Sequence, residues 1–241
     1  NSSYHARQLS LDKRYSHGIT VSPNCTWAKT LDYHSRNGFG GSRGINNPFN
    51  FFFSRGNSDL TRTHRFVNSF VWDLPSLEKG SKANAVLGNW RFSAIPTLQS
   101  GRPFSIGSSN NSVPGAGSSR ANLVGTGYPV LDPGRPKGEV LAKYFDTTRF
   151  ANPAPNTYGT LGRNILFGPG YFNVDMMLSK GWSLPFLGEA GRFEYRFEAF
   201  NLFNATHLAN PVTGLTNPNF GKITATDGDP RILQMALKMF G

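Results

Sequence analysis

Apolar and polar positions alternate with a period of two over long stretches of this chain. In "GRFEYRFEAFNLFN", Gly191 to Asn204, Phe193, Tyr195, Phe197 and Ala199 interleave with Arg192, Glu194, Arg196 and Glu198. Successive side chains of a strand point to opposite faces, so such a segment carries one apolar row and one charged row. The pattern alone fits two solvents. In water the apolar row covers a core and the charged row is wet; in a membrane barrel the apolar row meets lipid and the charged row faces the lumen.

The same period predicts about seven strands: Tyr4 to Arg14, Ile19 to Lys29, His64 to Leu74, Asn89 to Ser100, Tyr171 to Lys180, the stretch quoted above, and Arg231 to Phe240. Ile19, Val21, Pro23, Cys25 and Trp27 oppose Thr20, Ser22, Asn24 and Thr26 in the second. Trp90, Phe92, Ala94, Pro96 and Leu98 oppose Arg91, Ser93, Thr97 and Gln99 in the fourth, with Ile95 out of phase. Phe172, Val174, Met176 and Leu178 oppose Asn173, Asp175, Met177 and Ser179 in the fifth; Leu233, Met235, Leu237 and Met239 oppose Gln234, Ala236 and Lys238 in the last. Helical periodicity is nearly absent, and no helix is predicted.

The connections alternate in length. "YSHG", "SLEKGSKANA" and "GWSLPFLGEA" are short, whereas Asp32 to Thr63, Gly101 to Gly170 and Ala205 to Pro230 are long. In an up-and-down sheet alternate links share a rim, so this order puts the short links on one rim and the long ones on the other. Short turns against long loops are what a bacterial outer-membrane barrel shows. The long links are rich in Gly, Asn, Ser and Pro, as in "GFGGSRGINNPFNFFFSRGNSD" and "SSNNSVPGAGSSR", which predicts exposed irregular backbone. With an Arg on the lipid face costing roughly 2–4 kcal/mol near the midplane, the charged row is placed in the lumen. That makes Asn173, Asp175, Arg192, Glu194, Arg196, Glu198, Gln234 and Lys238 lumen-lining, and Phe172, Val174, Met176, Leu178, Phe193, Tyr195, Phe197, Leu233, Met235, Leu237 and Met239 lipid-facing.

Composition supports strands and loops. The 241 residues include 27 Gly, 16 Pro and 20 Phe, with 38% hydrophobic and 13% aromatic content. The formal charge of +11 raises an acidic partner. The 25 Lys and Arg are scattered singly, without a basic run or a nucleic-acid module, so an anionic lipopolysaccharide surface fits better than nucleic acid. No apolar run approaches the ~20 residues of a spanning helix, which leaves barrel strands open. The single cysteine, Cys25, excludes an internal disulfide, and the chain opens on Asn1 with no signal peptide, as a mature segment or fragment does.

Candidate chemistry is sparse, and no cofactor, metal or enzymatic activity is expected. His5, His17, His34, His64 and His207 lack a metal-ligand spacing, and no GxSxG nucleophile motif occurs. "GFGGSRG" lacks the Lys-Ser/Thr ending of a phosphate loop. Glu194 and Glu198 share a face as a glycosidase pair does, but each has Arg neighbours, and charge pairing explains them more simply. Phe49, Phe51, Phe52 and Phe53 in "FNFFFSRG" are read as packed under neighbouring loops, with a ligand-contacting patch as the other reading.

"YGTLGRNILFGPGYFNVDMMLSK" and "FEYRFEAFNLFNATHLANPVTGLTNPNFGKITATDGDPRILQMALKMF" resemble the carboxy-terminal barrel region of TonB-dependent outer-membrane receptors, in particular the Oar-like group. "SSYHARQLSLDKRYSHGITVSPNCTWAKTLD", "RTHRFVNSFVWDLP" and "LGNWRFSAIPTLQSGRPFS" are similar to successive strands of the same barrels, so the resemblance spans essentially the whole chain. It implies a barrel of about 22 strands closed around a plug, a box that engages TonB, and energised transport of a bulky ligand. On that basis residues 1–241 are the terminal part of a longer receptor, with plug and TonB box outside this chain. The implied partners are outer-membrane lipid and lipopolysaccharide, the receptor's own plug and the TonB complex, the barrel-assembly machinery and a ligand of unknown identity. The family's terminal insertion signal maps to Leu237, Met239 and Phe240, with Phe240 in the opposite phase and Gly241 at the aromatic position.

The expected fold is therefore all-β: an antiparallel up-and-down transmembrane barrel segment with long extracellular loops. The competing reading is a soluble all-β carbohydrate-binding or adhesin-like module whose aromatic rows pack face to face.

Overall fold

Seven long strands fold into one antiparallel sheet: β1 (Ser2–Ser10), β2 (Ile19–Asp32), β3 (His64–Asp73), β4 (Trp90–Gln99), β5 (Tyr171–Ser183), β6 (Arg192–Phe200) and β7 (Ile232–Phe240). The structure, a computed structural model, describes residues 1–35, 45–77, 81–108, 119–184, 186, 188 and 191–241. "GFGGSRG" and most of "SSNNSVPGAGSSR" lie outside the described residues. Each strand pairs with the next in the chain, so the sheet is a meander; it does not close on itself. By this topology the links after β1, β3 and β5 lie at one rim and the links after β2, β4 and β6 at the other.

Local chemistry sets where the strands start and stop. The first expected strand is split: Ser2–Ser10 and Lys13–Ser16 both pair with β2, with a register shift between Lys13 and Ser16. His17 (φ 56°) and Gly18 (φ 79°) then close a two-residue hairpin with both central residues left-handed, as a turn of the primed type needs. β2 and β5 extend three residues past the expected Lys29 and Lys180. β6 ends sooner than the alternation suggests, because Asn201 turns left-handed (φ 51°) and its amide spans to the carbonyls of Ala205 and Asp229 at 3.0 and 3.1 Å. Asn204 is also left-handed, and its side chain accepts from the Arg231 N–H at 3.1 Å. The two asparagines of "NLFN" thus staple both ends of the third long link.

Two prolines stand inside paired strands. Pro23 faces Asn68, and the β3–β4 pairing lapses at Asn68 and Ser69, where the register meets Ile95 and Pro96. A proline has no N–H for the ladder, so the interruption falls where the residue type requires it.

Helices occur despite the absence of a helical period. Lys82–Leu87 lies in the second short link, capped by Ser81 whose hydroxyl accepts from the Asn84 N–H at 3.1 Å, and Lys137–Ala142 lies in the second long link. Each has six residues, under two turns, too few for a 3.6-residue repeat to register.

The hydrophobic core does not lie on the sheet. Phe104, Ile106, Ala121, Phe145, Phe150, Leu161 and Leu166 form a buried cluster, with Leu215 and Phe220 packed on it. All belong to the second and third long links. Two small ladders, Pro103–Phe104 with Leu166–Phe167 and Asn122–Leu123 with Phe150–Ala151, hold this cap together. The described parts of the second and third long links therefore pack into a cap: their backbone is mostly irregular, as the composition suggests, but much of it is not exposed.

Candidate functional site

Register carries each strand's rows across the sheet. Phe92, Leu178, Phe197 and Met235 stand in one cross-strand line, and Ala94, Met176, Ala199 and Leu233 in the next. On the opposite face Asp73, Arg91, Ser179, Arg196 and Ala236 form a line, flanked by Gly181, Glu194 and Lys238 and by Met177, Glu198 and Gln234. By the same register Asn173, Asp175, Arg192, Glu194, Arg196, Glu198, Gln234 and Lys238 all fall on the polar face. Phe172, Val174, Met176, Leu178, Phe193, Tyr195, Phe197, Leu233, Met235, Leu237 and Met239 all fall on the apolar one. Ile95 lies on the polar face, half-exposed.

The polar face is knit by ion pairs. Arg91 Nε donates to Asp73 Oδ1 at 2.5 Å across strands, and Arg196 Nε donates to Glu194 Oε1 at 2.5 Å along one. A cavity of about 310 Å³ opens over these groups, lined also by Ser179 and Arg192. The Arg192 guanidinium sits 4.4 Å from the centre of the Phe240 ring, which places that terminal aromatic residue on the polar face while Leu237 and Met239 are on the other. Glu194 is thus paired with Arg196, and Glu198 stands across from Met177 and Gln234 in register.

The apolar face carries aromatic residues at both ends. Trp72, Trp90 and Trp182 lie toward the short-link rim, and Trp90 packs edge-on against Tyr195 at 6.2 Å. Trp27, stacked on His64 at 6.3 Å, and Phe172, stacked on Phe203 at 6.1 Å, lie toward the long-link rim. Trp90 and Leu98 of one strand are eight residues apart, about 27 Å at 3.4 Å per residue; a tilt of about 40° reduces that to roughly 20 Å along a membrane normal, close to the ~25 Å band of an outer-membrane barrel. Cys25 is exposed on this face, opposite Leu9 and Phe66.

Lys180 breaks the apolar row and shows how it is tolerated. It stands between Trp90 and Tyr195 in register. Its ammonium donates to the Asn84 carbonyl at 3.1 Å and to the Gly88 carbonyl, at the C-terminal end of Lys82–Leu87, and lies 5.7 and 5.5 Å from the Trp90 and Trp182 rings. The indoles of Trp90 and Trp182 donate to Val86 and Ala85 carbonyls, each at 2.9 Å. One cation and two indoles thereby bind the Ala85, Val86 and Gly88 carbonyls, which the helix end leaves unpaired, and share that of Asn84 with the Gly88 N–H. Neither this clamp nor the helix is legible from alternation.

A buried ion pair joins the cap to the sheet. Arg163 Nη1 donates to the Asp32 carbonyl at 2.9 Å and to Asp32 Oδ1, and Nη2 donates to Ser35 Oγ. Asn164 (φ 51°) donates to the Asn57 carbonyl at 2.7 Å and to Asp59 Oδ1 at 2.6 Å, while its Oδ1 accepts from Ser105 at 2.9 Å. Buried Asn46 bridges the Gly159 carbonyl at 2.9 Å and the Arg120 N–H at 3.0 Å. Gly159 is required there, since a Cβ would sit 1.7 Å from the Arg120 carbonyl oxygen. Burial, and then the positive charge of Arg163, bring the Arg120 guanidinium down to about 10, and it lies 4.9 Å over the Phe53 ring. The phenylalanines of "FNFFFSRG" divide: Phe53 meets Arg120 and Phe51 meets Tyr33 at 5.1 Å, whereas Phe49 is 90% exposed. The packed reading is corrected for Phe49; Phe52 meets Tyr33 edge-on at 6.2 Å and is otherwise largely exposed.

A family model described as "Outer membrane beta barrel domain" matches residues 1–234. The chain belongs to that family. No curated protein and no solved structure matches it. Membership places the chain in the outer membrane and gives the antiparallel meander its setting as a piece of barrel wall. In such a wall apolar and polar residues alternate along each strand and aromatic residues gather at the two interfaces; this sheet has one apolar and one polar face, with aromatic residues at both ends of the apolar one.

Proposed function

We propose that this outer-membrane barrel domain is the carboxy-terminal wall of a TonB-dependent receptor of the Oar-like group. Its polar face lines the lumen, its apolar face meets lipid, and its folded cap is extracellular and contacts the ligand. The observation that carries this reading is the polar face itself: Asp73, Arg91, Arg192, Glu194 and Arg196 converge on an open cavity, although a wall that only sealed the membrane has no use for it. The resemblance of "YGTLGRNILFGPGYFNVDMMLSK" and "FEYRFEAFNLFN" supports the finer assignment. The receptor works by binding and passage: ligand on the cap leads to movement of a plug supplied by the rest of the protein, opening a route along the charged face. Bond-breaking chemistry and cofactors have no part in it, and the assembly machinery reads the β7 end.

Thiol labelling in intact cells tests the proposal on the full-length protein with Cys25 replaced by Ser. A cysteine at Gln234, exposed on the polar face, reacts with a hydrophilic maleimide and one at Met235, exposed on the apolar face, does not; equal reactivity at both defeats the lumen assignment. Labelling at Gln234 also changes when the proton-motive force is collapsed, because the plug then stops moving. Labelling that ignores energisation removes TonB coupling and leaves a passive barrel.

A further inference from the structure

Arg62 and Arg102 come from different long links yet line one cleft, and a single carboxylate, Asp227, shares it. The cleft has a volume of about 150 Å³ and lies where the three long links meet the sheet. Arg62 closes the first link, Arg102 opens the second, and His207 and Asp227 belong to the third. His207 fixes the third link in place: its Nε2 donates to the Phe172 carbonyl at 2.8 Å, its ring stacks on Tyr171 at 4.2 Å, and its carbonyl accepts from the Asp227 N–H at 2.9 Å.

The charges in the cleft do not balance. Arg102 Nη1 is 3.7 Å from Asp227 Oδ2, a loose contact. Arg62 donates to the Thr61 carbonyl at 3.1 Å and has no ion pair within 4.0 Å of a described carboxylate. Two guanidiniums against one carboxylate leave one positive charge in excess. Burial, and then the nearby charge of Arg102, lower the Arg62 pKa, with Asp227 acting in the opposite sense. An anion between the two arginines turns their repulsion into two attractions.

We propose that this cleft binds a phosphate monoester group, or free phosphate, between Arg62 and Arg102. Guanidinium forks match the spacing of phosphate oxygens. At ~30 Å³ per water the cleft holds about five waters, so it admits one phosphate-sized group and leaves the rest of a larger molecule outside. Asp227 adds selectivity. Its carboxylate accepts a hydrogen bond from a phosphate that keeps one proton and repels sulfate, which has none. The group has two possible sources, a soluble phosphorylated ligand or the phosphorylated headgroup of an outer-leaflet lipid. The site is independent of energy coupling, since it requires no plug movement.

The test uses the full-length protein in detergent micelles, titrated calorimetrically with inorganic phosphate and with sulfate, then reconstituted in nanodiscs carrying lipid A with or without its phosphates. Phosphate binds at least tenfold more tightly than sulfate. Arg62→Gln and Arg102→Gln each weaken it at least tenfold, Asp227→Asn erases the preference over sulfate, and Arg55→Gln, exposed in the same link, changes nothing. Binding to phosphorylated lipid A that falls in the Arg62 and Arg102 variants identifies the lipid source; phosphate binding without it identifies a soluble one. Folding is checked by heat modifiability, and Arg62→Lys, which keeps the charge but loses the fork, binds phosphate more weakly than wild type, retains part of the preference over sulfate and serves if Arg62→Gln misfolds. No binding of phosphate in either setting, or equal binding by wild type and the arginine variants, overturns the proposal.

Discussion

The sheet and the cap use the same apolar residue types and treat them in opposite ways. Met235 on β7 is 70% exposed and Leu237 is 67% exposed, whereas Phe145 in the cap is 1% exposed and Ile106 fully buried. A row of that kind facing water would forfeit roughly 25 cal/mol for each Å² left uncovered, and an open sheet edge would add an aggregation site. The family places this chain in the outer membrane, and on the face assignment proposed above lipid covers the row without help from the protein. The cap buries its own phenylalanines. On that proposal a single chain follows two burial rules, one for each solvent.

The comparison breaks most easily in the cap. Phe145→Ala empties the centre of the Phe104, Phe150 and Phe220 cluster and costs the cap about 3–5 kcal/mol. Limited proteolysis of the second long link reports the loss, while heat modifiability of the barrel persists; simultaneous loss of both would show that cap and sheet are one cooperative unit. Arg163→Met tests the joint between them. It strands Asp32 as a buried charge, at about 3–5 kcal/mol for breaking such a pair from one side, and urea unfolding of the cap in micelles should shift by a comparable amount.

The sheet responds to a different change. Leu178→Arg puts a cation in the middle of the apolar row, at roughly 2–4 kcal/mol if that row faces lipid, and depletes the heat-modifiable form in the outer-membrane fraction. Gln234→Arg, exposed on the polar face beside Glu198, leaves that form at wild-type level; equal depletion by both would refute the assignment of faces.

A pH scan gives a smaller effect, confined to the cap. Burial raises the Tyr144 phenol from 10.0 to about 12, so the folded cap holds that proton more tightly than the unfolded chain does. The resulting stability is complete below pH 10 and is lost as pH rises from 10 to about 12. Tyr144→Phe flattens the difference between pH 9 and pH 12 in cap unfolding and also removes the 3.1 Å hydrogen bond to the Phe167 carbonyl; an unchanged pH slope in that variant assigns the titration to another group. The smallest effect belongs to Arg196→Gln on the partly exposed polar face, where loss of the pair with Glu194 costs under about 1 kcal/mol in a urea titration.

Much of the sheet was legible because a strand in a two-faced setting writes its exposure every second residue. The rows Phe172 to Leu178, Phe193 to Phe197 and Leu233 to Met239 occupy one face, as the alternation implies. Strand ends were less legible, since they depend on single residues such as Asn201 and the left-handed pair His17 and Gly18. The cap was not legible as a folded unit. Its core residues, Phe104, Ile106, Phe145 and Leu161, recur at no fixed period and come from links rich in the residues of irregular loops. The one available signal was "GRNILFGPG", whose Arg163 and Asn164 tie the second link to Asp32, Asn57 and Asp59.

The sequence by itself determined the strands, their order as a meander and the two rows, because a period of two and a sorted set of link lengths are properties of neighbouring residues. Only the tertiary structure decided what the long links do. Burial of Phe145, the pairing of Arg163 with Asp32 and the meeting of Arg62 with Arg102 join residues far apart in the chain. Such contacts are fixed by three-dimensional packing, and no local pattern records them.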